Sequence, residues 1–271
     1  MKWVIRMFFF FGVFFSASAQ QKIEYGNNKT AGSYITIRGI KMYYEIYGQG
    51  EPLLLIHGNG GSINAFAANI PFFSKKYKVI ALDSRAQGKT IDDNDSLSFE
   101  MMADDEAALL DALHIDSAYV IGWSDGGINA LLLALRHPGK VKKLVSTGAN
   151  LWPDSTAIIP AVWNDDKNTF DTTHTERFNK KQRNDWKMFL LDWFQPNISL
   201  QQLHSIKCPA LIIGGDHDLI RVEHTVLIAQ NIPKSYLWIV PNSGHATLIE
   251  HRDEFNKKAD DFFSDLFNQR K

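Results

Sequence analysis

The sequence predicts an α/β fold, in which a mostly parallel, twisted sheet is covered by helices on both faces. Three observations lead to this prediction. Short, wholly apolar runs recur along the chain, helical patterns separate them, and glycine-rich turns follow several of the runs. Runs of this kind are typical of strands buried on both faces, and their alternation with helices favours parallel pairing. A chain of 271 residues is long enough for one such domain.

The predicted strands begin with a β-hairpin. Residues 34–38 and 41–47 alternate between apolar and polar side chains around Gly39. Six buried strands are then predicted at residues 53–56, 79–82, 118–121, 144–146, 211–213 and 237–240. Helices are predicted at residues 99–113, 128–136, 222–230 and 255–267, where apolar residues recur at helical spacing.

One segment interrupts this alternation. Residues 151–206 contain no clear strand but hold eight aromatic side chains, among them Trp163, Trp186 and Trp193. We expect a helical lid insertion here, over the carboxyl ends of the strands; the alternative is that these rings only pack the segment onto the sheet. The α/β core then comprises residues 33–150 and 207–271, preceded by a flexible leader at residues 20–32.

The first nineteen residues have the pattern of a secretory signal peptide. Lys2 and Arg6 precede an apolar run over residues 7–15, and small residues close it at 17–19. We expect cleavage after Ala19 and export to the periplasm or the medium. The alternative, an uncleaved membrane anchor, is disfavoured because the run is about half the length of a spanning helix. Once this segment is removed, no stable membrane insertion is expected.

Composition and cysteine usage exclude several classes of partner. The net charge is -1, with no long block of like charges, so nucleic acids and acidic polymers are not expected ligands. Cys208 is the single cysteine, so it cannot form an internal disulfide even in an oxidising compartment. It stands before Pro209 at the start of an apolar run and is expected to be a buried structural thiol.

The glycine-rich segment at residues 122–127 predicts a nucleophilic serine. Ser124 lies between a predicted strand and a predicted helix, with Gly122, Gly126 and Gly127 around it. A sharp strand-to-helix turn needs small neighbours, because larger side chains would collide with the adjacent backbone. Such a turn would hold the Ser124 hydroxyl at the top of the sheet, near the positive end of the helix.

A serine nucleophile needs a base, and the base needs an orienting carboxylate. His245 follows Gly244 in the loop after the last predicted strand. Asp216 and Asp218 both lie in the loop after residues 211–213; we favour Asp218 as the partner of His245 and expect Asp216 to order the turn. The order serine, aspartate, histidine is that of a known catalytic arrangement.

Acyl transfer also needs hydrogen-bond donors for the oxyanion. We expect one to be the backbone N–H of Asp125 and the other to come from residues 57–61, with Asn59 the first choice and Gly60 the second. His57 and Trp123 adjoin these groups and are candidate substrate contacts, as is the Asp125 side chain.

These motifs together resemble the α/β-hydrolase superfamily over residues 33–267. They are His57-Gly58-Asn59-Gly60-Gly61, Gly122-Trp123-Ser124-Asp125-Gly126-Gly127, Gly215-Asp216-His217-Asp218 and Gly244-His245. Residues 83–90 are similar to the family's Asp-x-Arg-Gly-x-Gly-x-Ser loop but carry Ala86 for glycine and Thr90 for serine. The resemblance implies a serine hydrolase without cofactor or metal; its serine nucleophile argues against haloalkane dehalogenases and epoxide hydrolases, which use aspartate.

More narrowly, residues 122–127 with Gly148-Ala149-Asn150 resemble the biphenyl-hydrolase-like, or valacyclovir-hydrolase-like, esterases. This implies small ester substrates, including esters of α-amino acids. The Asp125 carboxylate would then pair with a substrate ammonium; alternatively it points away from the site. The same residues are compatible with C–C bond, lactone or N-terminal peptide hydrolysis, or with a binding protein that has no useful turnover.

Overall fold

The α/β architecture is confirmed by the computed structural model, which describes residues 23–264. The predicted signal peptide and the part of the last predicted helix beyond residue 264 lie outside these residues. The described part of the chain contains eight strands: Gly32–Ile37 (β1), Ile40–Tyr47 (β2), Glu51–Ile56 (β3), Tyr77–Leu82 (β4), Ala118–Trp123 (β5), Val141–Thr147 (β6), Ala210–Gly215 (β7) and Ser235–Val240 (β8).

All eight strands form one sheet, in the order β1-β2-β4-β3-β5-β6-β7-β8. The β1–β2 hairpin is antiparallel and joins β4 in antiparallel fashion, whereas the strands from β4 to β8 pair in parallel. Parallel pairing brings the carboxyl ends of β3, β5, β6, β7 and β8 to one edge of the sheet. In open α/β sheets this edge is where ligands bind.

Helices cover both faces of the sheet. Within residues 23–264 they are Ile70–Phe73 (α1), Phe99–Ala112 (α2), Asp125–Arg136 (α3), Pro160–Thr172 (α4), Lys180–Phe194 (α5), Leu200–Leu203 (α6), Val222–Asn231 (α7), Thr247–Glu250 (α8) and Arg252–Phe263 (α9), with short 3₁₀ turns at Ile63–Phe66 and Pro138–Lys140. None of the helices in this range is long and apolar enough to cross a bilayer.

The core lies on both sides of the sheet because successive side chains of a strand point to opposite faces. In β3, Leu54 and Ile56 join the cluster beneath α2 and α3, whereas Leu53 and Leu55 join the cluster beneath α1 and α9. All four are buried. A strand of this kind must be apolar at every position, which is why the sequence shows an unbroken run rather than alternation.

The segment at residues 151–206 contains α4, α5 and α6. Its aromatic rings stack mainly on one another: Phe170 of α4 lies 5.0 Å from Trp193 of α5, and Trp186 lies 4.8 Å from Phe189, measured between ring centroids. No residue of α4 is buried, whereas Met188 and Leu191 of α5 are. The segment is also attached through Leu203 of α6 and Ile206, which are 0% and 1% exposed, so α4 is its least buried helix. Its role as a lid stays a prediction.

The loop after β4 is held by buried polar contacts. Ala86 adopts φ +64°, at the position where the related family has glycine. Thr90 Oγ1 donates to the Asp83 carbonyl at 2.6 Å and accepts from the Tyr43 N–H at 2.9 Å. Arg85 donates two hydrogen bonds to Asp105, at 2.6 and 2.8 Å. The two departures from the family's motif are therefore accommodated inside the loop.

Glu106 of α2 is buried without such compensation. It is 1% exposed, and within residues 23–264 neither carboxyl oxygen has a hydrogen-bond partner. Burial first, and the neighbouring Asp105 second, raise the pKa of Glu106 well above its usual value. Burial therefore favours the neutral form of this carboxyl in the folded protein.

We expect Glu106→Gln to be more stable than the wild type at pH 8. The pKa of Glu106 is higher in the folded state than in the unfolded state, where it is about 4.3. Below pH 4.3 both states are protonated and the wild type loses no stability. As the pH rises from there toward the pKa of the folded state, the unfolded state loses its proton first, and the wild type becomes less stable. The difference in free energy of unfolding between the variant and the wild type should therefore increase by about 1.4 kcal/mol per pH unit between these two pKa values. Urea unfolding at several pH values measures this difference. Glu100→Gln is the control, because Glu100 is partly exposed on the same helix; an equal gain there would refute the explanation.

Candidate active site

Ser124 occupies a strained turn between β5 and α3. Its backbone angles are φ +58° and ψ -122°, which L-residues rarely adopt. The Ser124 N–H donates to the Thr147 carbonyl of β6 at 2.9 Å, which fixes the turn to the neighbouring strand. This geometry lifts the side chain out of the sheet edge at the amino end of α3.

The glycines around Ser124 are required by close backbone approach. A Cβ atom at position 122 would lie 1.9 Å from the Gly126 carbonyl oxygen, and one at position 126 would lie 2.0 Å from the Ile56 carbonyl oxygen. Both distances are far below a van der Waals contact. Glycine is therefore needed at positions 122 and 126, because β5, α3 and β3 pack closely together beneath the serine.

Ser124, His245 and Asp218 form a continuous hydrogen-bonded line. The Ser124 hydroxyl donates to His245 Nε2 at 2.9 Å, and His245 Nδ1 donates to Asp218 Oδ1 at 2.6 Å. A carboxylate beside Nδ1 keeps the proton on that nitrogen, so Nε2 is free to accept. This arrangement can remove a proton from the serine hydroxyl and stabilise the resulting imidazolium.

The two aspartates of the β7 loop have different partners. Asp218 is 5% exposed and also accepts the Ile220 N–H at 3.0 Å. Asp216 is partnered instead by the Ser243 N–H at 3.1 Å and His217 Nδ1 at 2.7 Å. Asp216 therefore braces the turn that leads to His245 and does not touch the imidazole.

Glu250 is a further support of the His245 loop that sequence reasoning missed. Its carboxylate accepts the Gly244 N–H at 2.7 Å and the Ser243 hydroxyl at 3.3 Å. A glutamate five residues after a histidine carries no recognisable signal, because only the fold of the short helix α8 brings it back to the loop.

The loop after β3 runs beside Ser124. A Cβ atom at Gly58 would lie 2.8 Å from the Ser124 Cβ, and the Gly61 N–H donates to the Gly58 carbonyl at 3.1 Å to close a turn. Within residues 23–264 the N–H groups of Asn59 and Gly60 have no protein acceptor. Both are therefore available to an oxyanion, and the choice between them stays open.

His57 lies inside the protein, and its predicted contact with a substrate stays a prediction. His57 is 1% exposed, and both ring nitrogens are engaged: Nδ1 donates to the Gly58 carbonyl at 2.7 Å, and Nε2 accepts the Ser84 N–H at 3.0 Å. Burial lowers the pKa of His57 to about 4, so the ring is neutral. His57 therefore connects the loop after β3 to the loop after β4 through hydrogen bonds.

Trp123 also has an internal partner. Its indole N–H donates to the His245 carbonyl at 2.9 Å, and the ring is partly buried in the core cluster beneath α9. Trp123 thus helps to position His245. Its predicted contact with a substrate stays a prediction.

The Asp125 side chain lies in the site rather than in solvent. It is 4% exposed, and its Oδ2 has no hydrogen-bond partner among the described residues. Burial raises the pKa of Asp125, while hydrogen bonds with Asn59 and Asp192 and the electrostatic interaction with His245 act in the opposite direction. The side chain therefore adjoins both the loop after β3 and helix α5.

Asp192 of α5 is the second site residue that sequence reasoning missed. Its carboxyl adjoins the Asp125 carboxyl and the Asn59 side-chain amide, and burial together with the Asp125 charge raises the pKa of Asp192 well above its usual value. One signal was present: Asp192 is an acid between Leu191 and Trp193 in the apolar last turns of a helix. Its partner, however, is 67 positions earlier in the chain.

A cavity of about 1170 Å³ lies between the loop after β4 and α5. Its lining includes Ile91, Phe178, Trp186, Lys187 and Phe194, but neither Ser124, Asp218 nor His245. The serine site is thus separate from this cavity. Within residues 23–264, no three His, Cys, Asp or Glu side chains converge as metal ligands would.

Comparison with known proteins gives consistent results. A family model described as "alpha/beta hydrolase fold" matches residues 51–190. The serine hydrolase BPHL of Mus musculus is 28% identical over 246 residues, which cover 84% of each chain. The 2-hydroxymuconate semialdehyde hydrolase of Pseudomonas sp. (strain CF600) is 28% identical and covers 88% of this chain and 96% of its own.

A solved structure agrees with these relatives. The meta-cleavage product hydrolase CumD of Pseudomonas fluorescens IP01 has a TM-score of 0.70 and 26% sequence identity, and the match covers 89% of this chain and 100% of that protein. All three proteins are named as hydrolases.

Proposed function

The chain belongs to the α/β-hydrolase family and is a hydrolase, and from that premise we propose that it cleaves small carboxylic esters through an acyl-enzyme on Ser124. The observation that carries the proposal is the unbroken line from the Ser124 hydroxyl through His245 to Asp218. The free amides of the neighbouring loop support it, because acyl transfer needs a nucleophile, a base and oxyanion donors in one place.

The proposed reaction has two steps. Ser124 Oγ attacks the ester carbonyl carbon while His245 Nε2 takes the hydroxyl proton. The N–H groups of Asp125 and of Asn59 or Gly60 hold the oxyanion, each contributing roughly 3–4 kcal/mol. His245 then gives the proton to the departing alcohol. Water, deprotonated by His245 in turn, attacks the acyl group and releases the carboxylic acid and free Ser124.

We propose further that the preferred esters carry an ammonium group beside the carbonyl. Asp125 is the next residue after the nucleophile, is almost wholly buried and has an oxygen without a partner. An uncompensated carboxyl in a desolvated site favours a cationic ligand group. The resemblance to valacyclovir-hydrolase-like esterases supports the same substrate class.

A second candidate is C–C bond hydrolysis, which is favoured by the similarity to 2-hydroxymuconate semialdehyde hydrolase and CumD. A muconate-type substrate is itself a carboxylate. In this chain such a substrate would approach the Asp125 and Asp192 carboxyls, which supply no cationic partner for its carboxylate. We therefore prefer ester hydrolysis to C–C bond hydrolysis.

Asp125→Asn is expected to remove the preference for amino-acid esters. We expect wild-type kcat/KM for an alanine ester to exceed that for the propanoate ester of the same alcohol. The variant should lower this ratio by about 10- to 100-fold, because a hydrogen bond to a charged group contributes about 1.5–3 kcal/mol. Steady-state kinetics on both esters, together with a 2-hydroxymuconate semialdehyde assay, provide the measurement.

The propanoate ester is the internal control for folding and for the serine chemistry. A wild-type enzyme that does not distinguish the two esters, or a variant that retains the distinction, would contradict the ammonium proposal. Turnover of the muconate substrate but of neither ester would replace ester hydrolysis by C–C bond cleavage.

A further inference from the structure

The cavity between the loop after β4 and helix α5, here called the α5 cavity, is a concave site separate from Ser124. Its volume is about 1170 Å³, and pockets for small molecules typically measure about 300–1,000 Å³. Large apolar side chains line it, among them Ile91, Phe178, Trp186, Leu190 and Phe194. Ile91 and Phe194 are 68% and 56% exposed, although apolar surface is unfavourable in water. A concave apolar surface of this size favours a ligand with an apolar body.

Hydrogen bonds join the two walls of the α5 cavity. On the helix wall, the Asn184 side-chain amide donates to the Ala86 carbonyl at 2.9 Å. Lys187 Nζ donates to the carbonyls of Asp92 and Asn94, at 3.0 and 2.7 Å. Each of these bonds runs from a side chain of α5 to the backbone of the loop. The loop is therefore fixed at several points, and the cavity is formed before any ligand binds.

Two of the three acidic side chains in the lining already have a cationic partner. Asp92 is buried and pairs with Arg85 at 3.2 Å, behind the loop wall. Asp93 pairs with Lys180 of α5 at 2.8 Å, in an exposed contact between the two walls. Asp95 is the third, and it forms no ion pair with the residues that the structure describes. A cationic ligand would thus meet a single uncompensated carboxylate in this lining.

Two cationic side chains of the same lining lack an acidic partner. Within residues 23–264, neither Arg183 nor Lys187 forms an ion pair with an aspartate or glutamate, whereas Lys181 pairs with Asp185. Arg183 Nη1 donates to the Phe178 carbonyl at 2.6 Å, and Lys187 bonds two loop carbonyls. Arginine has five N–H donors and lysine three, so both side chains keep donors for a ligand. Residues four apart lie on the same side of a helix, so the two charges face the same part of the cavity.

We propose that the α5 cavity binds an amphipathic monocarboxylate, whose carboxylate accepts hydrogen bonds from Arg183 and Lys187 and whose apolar body lies against the apolar lining. Hydrogen bonds between charged partners are about twice as strong as neutral ones, which selects an anionic head group. The apolar body covers surface at Ile91 and Phe194 that is otherwise in contact with water. This site does not depend on the reaction proposed at Ser124.

Isothermal titration calorimetry tests the proposal with five probes: decanoate, octanoate, decanol, decyltrimethylammonium and acetate, each monomeric in solution. The Kd of decanoate should be about tenfold or more below that of decanol, because only decanoate bonds the two cations. Octanoate, which lacks two CH₂ groups, should bind about 15-fold more weakly than decanoate. Decyltrimethylammonium should bind more weakly than decanol, and acetate should show no measurable binding.

Three variants of the lining separate the charge from the apolar surface. Arg183→Gln and Lys187→Gln should each raise the Kd of decanoate by about tenfold and leave that of decanol unchanged. Ile91→Asn should weaken decanoate and decanol by the same factor. Lys167→Gln is the matched control, because Lys167 lies on α4 outside the lining and pairs with Asp171. Its Kd values should equal those of the wild type.

Several outcomes would overturn the carboxylate site. Equal affinity for decanoate and decanol would do so, as would an equal loss of both in Arg183→Gln, since the arginine would then only support the shape of the cavity. Decanoate that competes with an ester substrate and binds all three variants as it binds the wild type would lie at the serine site. Binding to phosphatidylglycerol vesicles without binding of monomeric decanoate would make this surface a membrane contact. If Lys187→Gln does not fold, Arg183→Gln decides, and ester turnover is measured separately, so failure here leaves the proposed function in place.

Discussion

Ser124→Ala is expected to lower kcat on a neutral ester by about 10⁴- to 10⁶-fold and to abolish covalent labelling by a fluorophosphonate probe. The hydroxyl is the group that His245 Nε2 accepts from at 2.9 Å, and no acyl-enzyme can form without it. The residual rate would come from the oxyanion donors and binding alone. Labelling followed by intact mass measurement, with kcat from initial rates, tests this expectation.

The fold of the variant should be preserved, because alanine tolerates the strained turn as serine does and the Ser124 N–H still donates to Thr147. Ser84→Ala is the matched control: Ser84 is a buried serine outside the hydrogen-bonded line, and its hydroxyl has no partner among the described residues. This control should keep labelling. If Ser124→Ala unfolds as the wild type does and is still labelled, another residue is the nucleophile and the proposed reaction is refuted.

The inner strands β3 to β7 could be predicted because they are largely buried on both faces. The prediction that residues 237–240 are buried in the same way is wrong, since β8 lies at the edge of the sheet and Leu237 is 43% exposed. Where a strand extends beyond the apolar run, the prediction stopped short. β6 begins at Val141, but the predicted strand began at residue 144 because Lys142 and Lys143 interrupt the apolar pattern. Charged side chains at a strand end can reach solvent while the backbone still pairs. β7 likewise continues through Gly214 and Gly215, although two successive glycines predict a turn because glycine is rare in strands.

The site was predictable to the extent that each group follows a strand directly. Ser124 follows β5, and the loops of Asp218 and His245 follow β7 and β8, so parallel pairing alone brings them to one edge. Asp192 could not be predicted, because its position depends on how α5 lies over the sheet. The orientation of His57 could not be predicted either, since a motif gives the position of a ring but not which loop its nitrogens face.

Asp218→Asn is expected to lower kcat by about 10²- to 10⁴-fold, whereas Asp216→Asn should change it by less than about tenfold. Asp218 accepts the His245 Nδ1 proton at 2.6 Å and is buried, so its charge acts on the imidazolium with little screening. Asp216 bonds the Ser243 N–H and His217, both outside this line. Steady-state kinetics on one neutral ester compare the two variants.

The pair is informative because the two aspartates share a loop and differ by two positions, so a general disturbance of the loop would affect both. Removing the Asp218 charge leaves Oδ1 able to accept the Ile220 N–H, and the loss should therefore fall on kcat rather than on stability. Fluorophosphonate labelling should slow in Asp218→Asn and remain fast in Asp216→Asn. Equal losses in both variants would mean that loop order, and not the buried charge behind His245, drives the reaction.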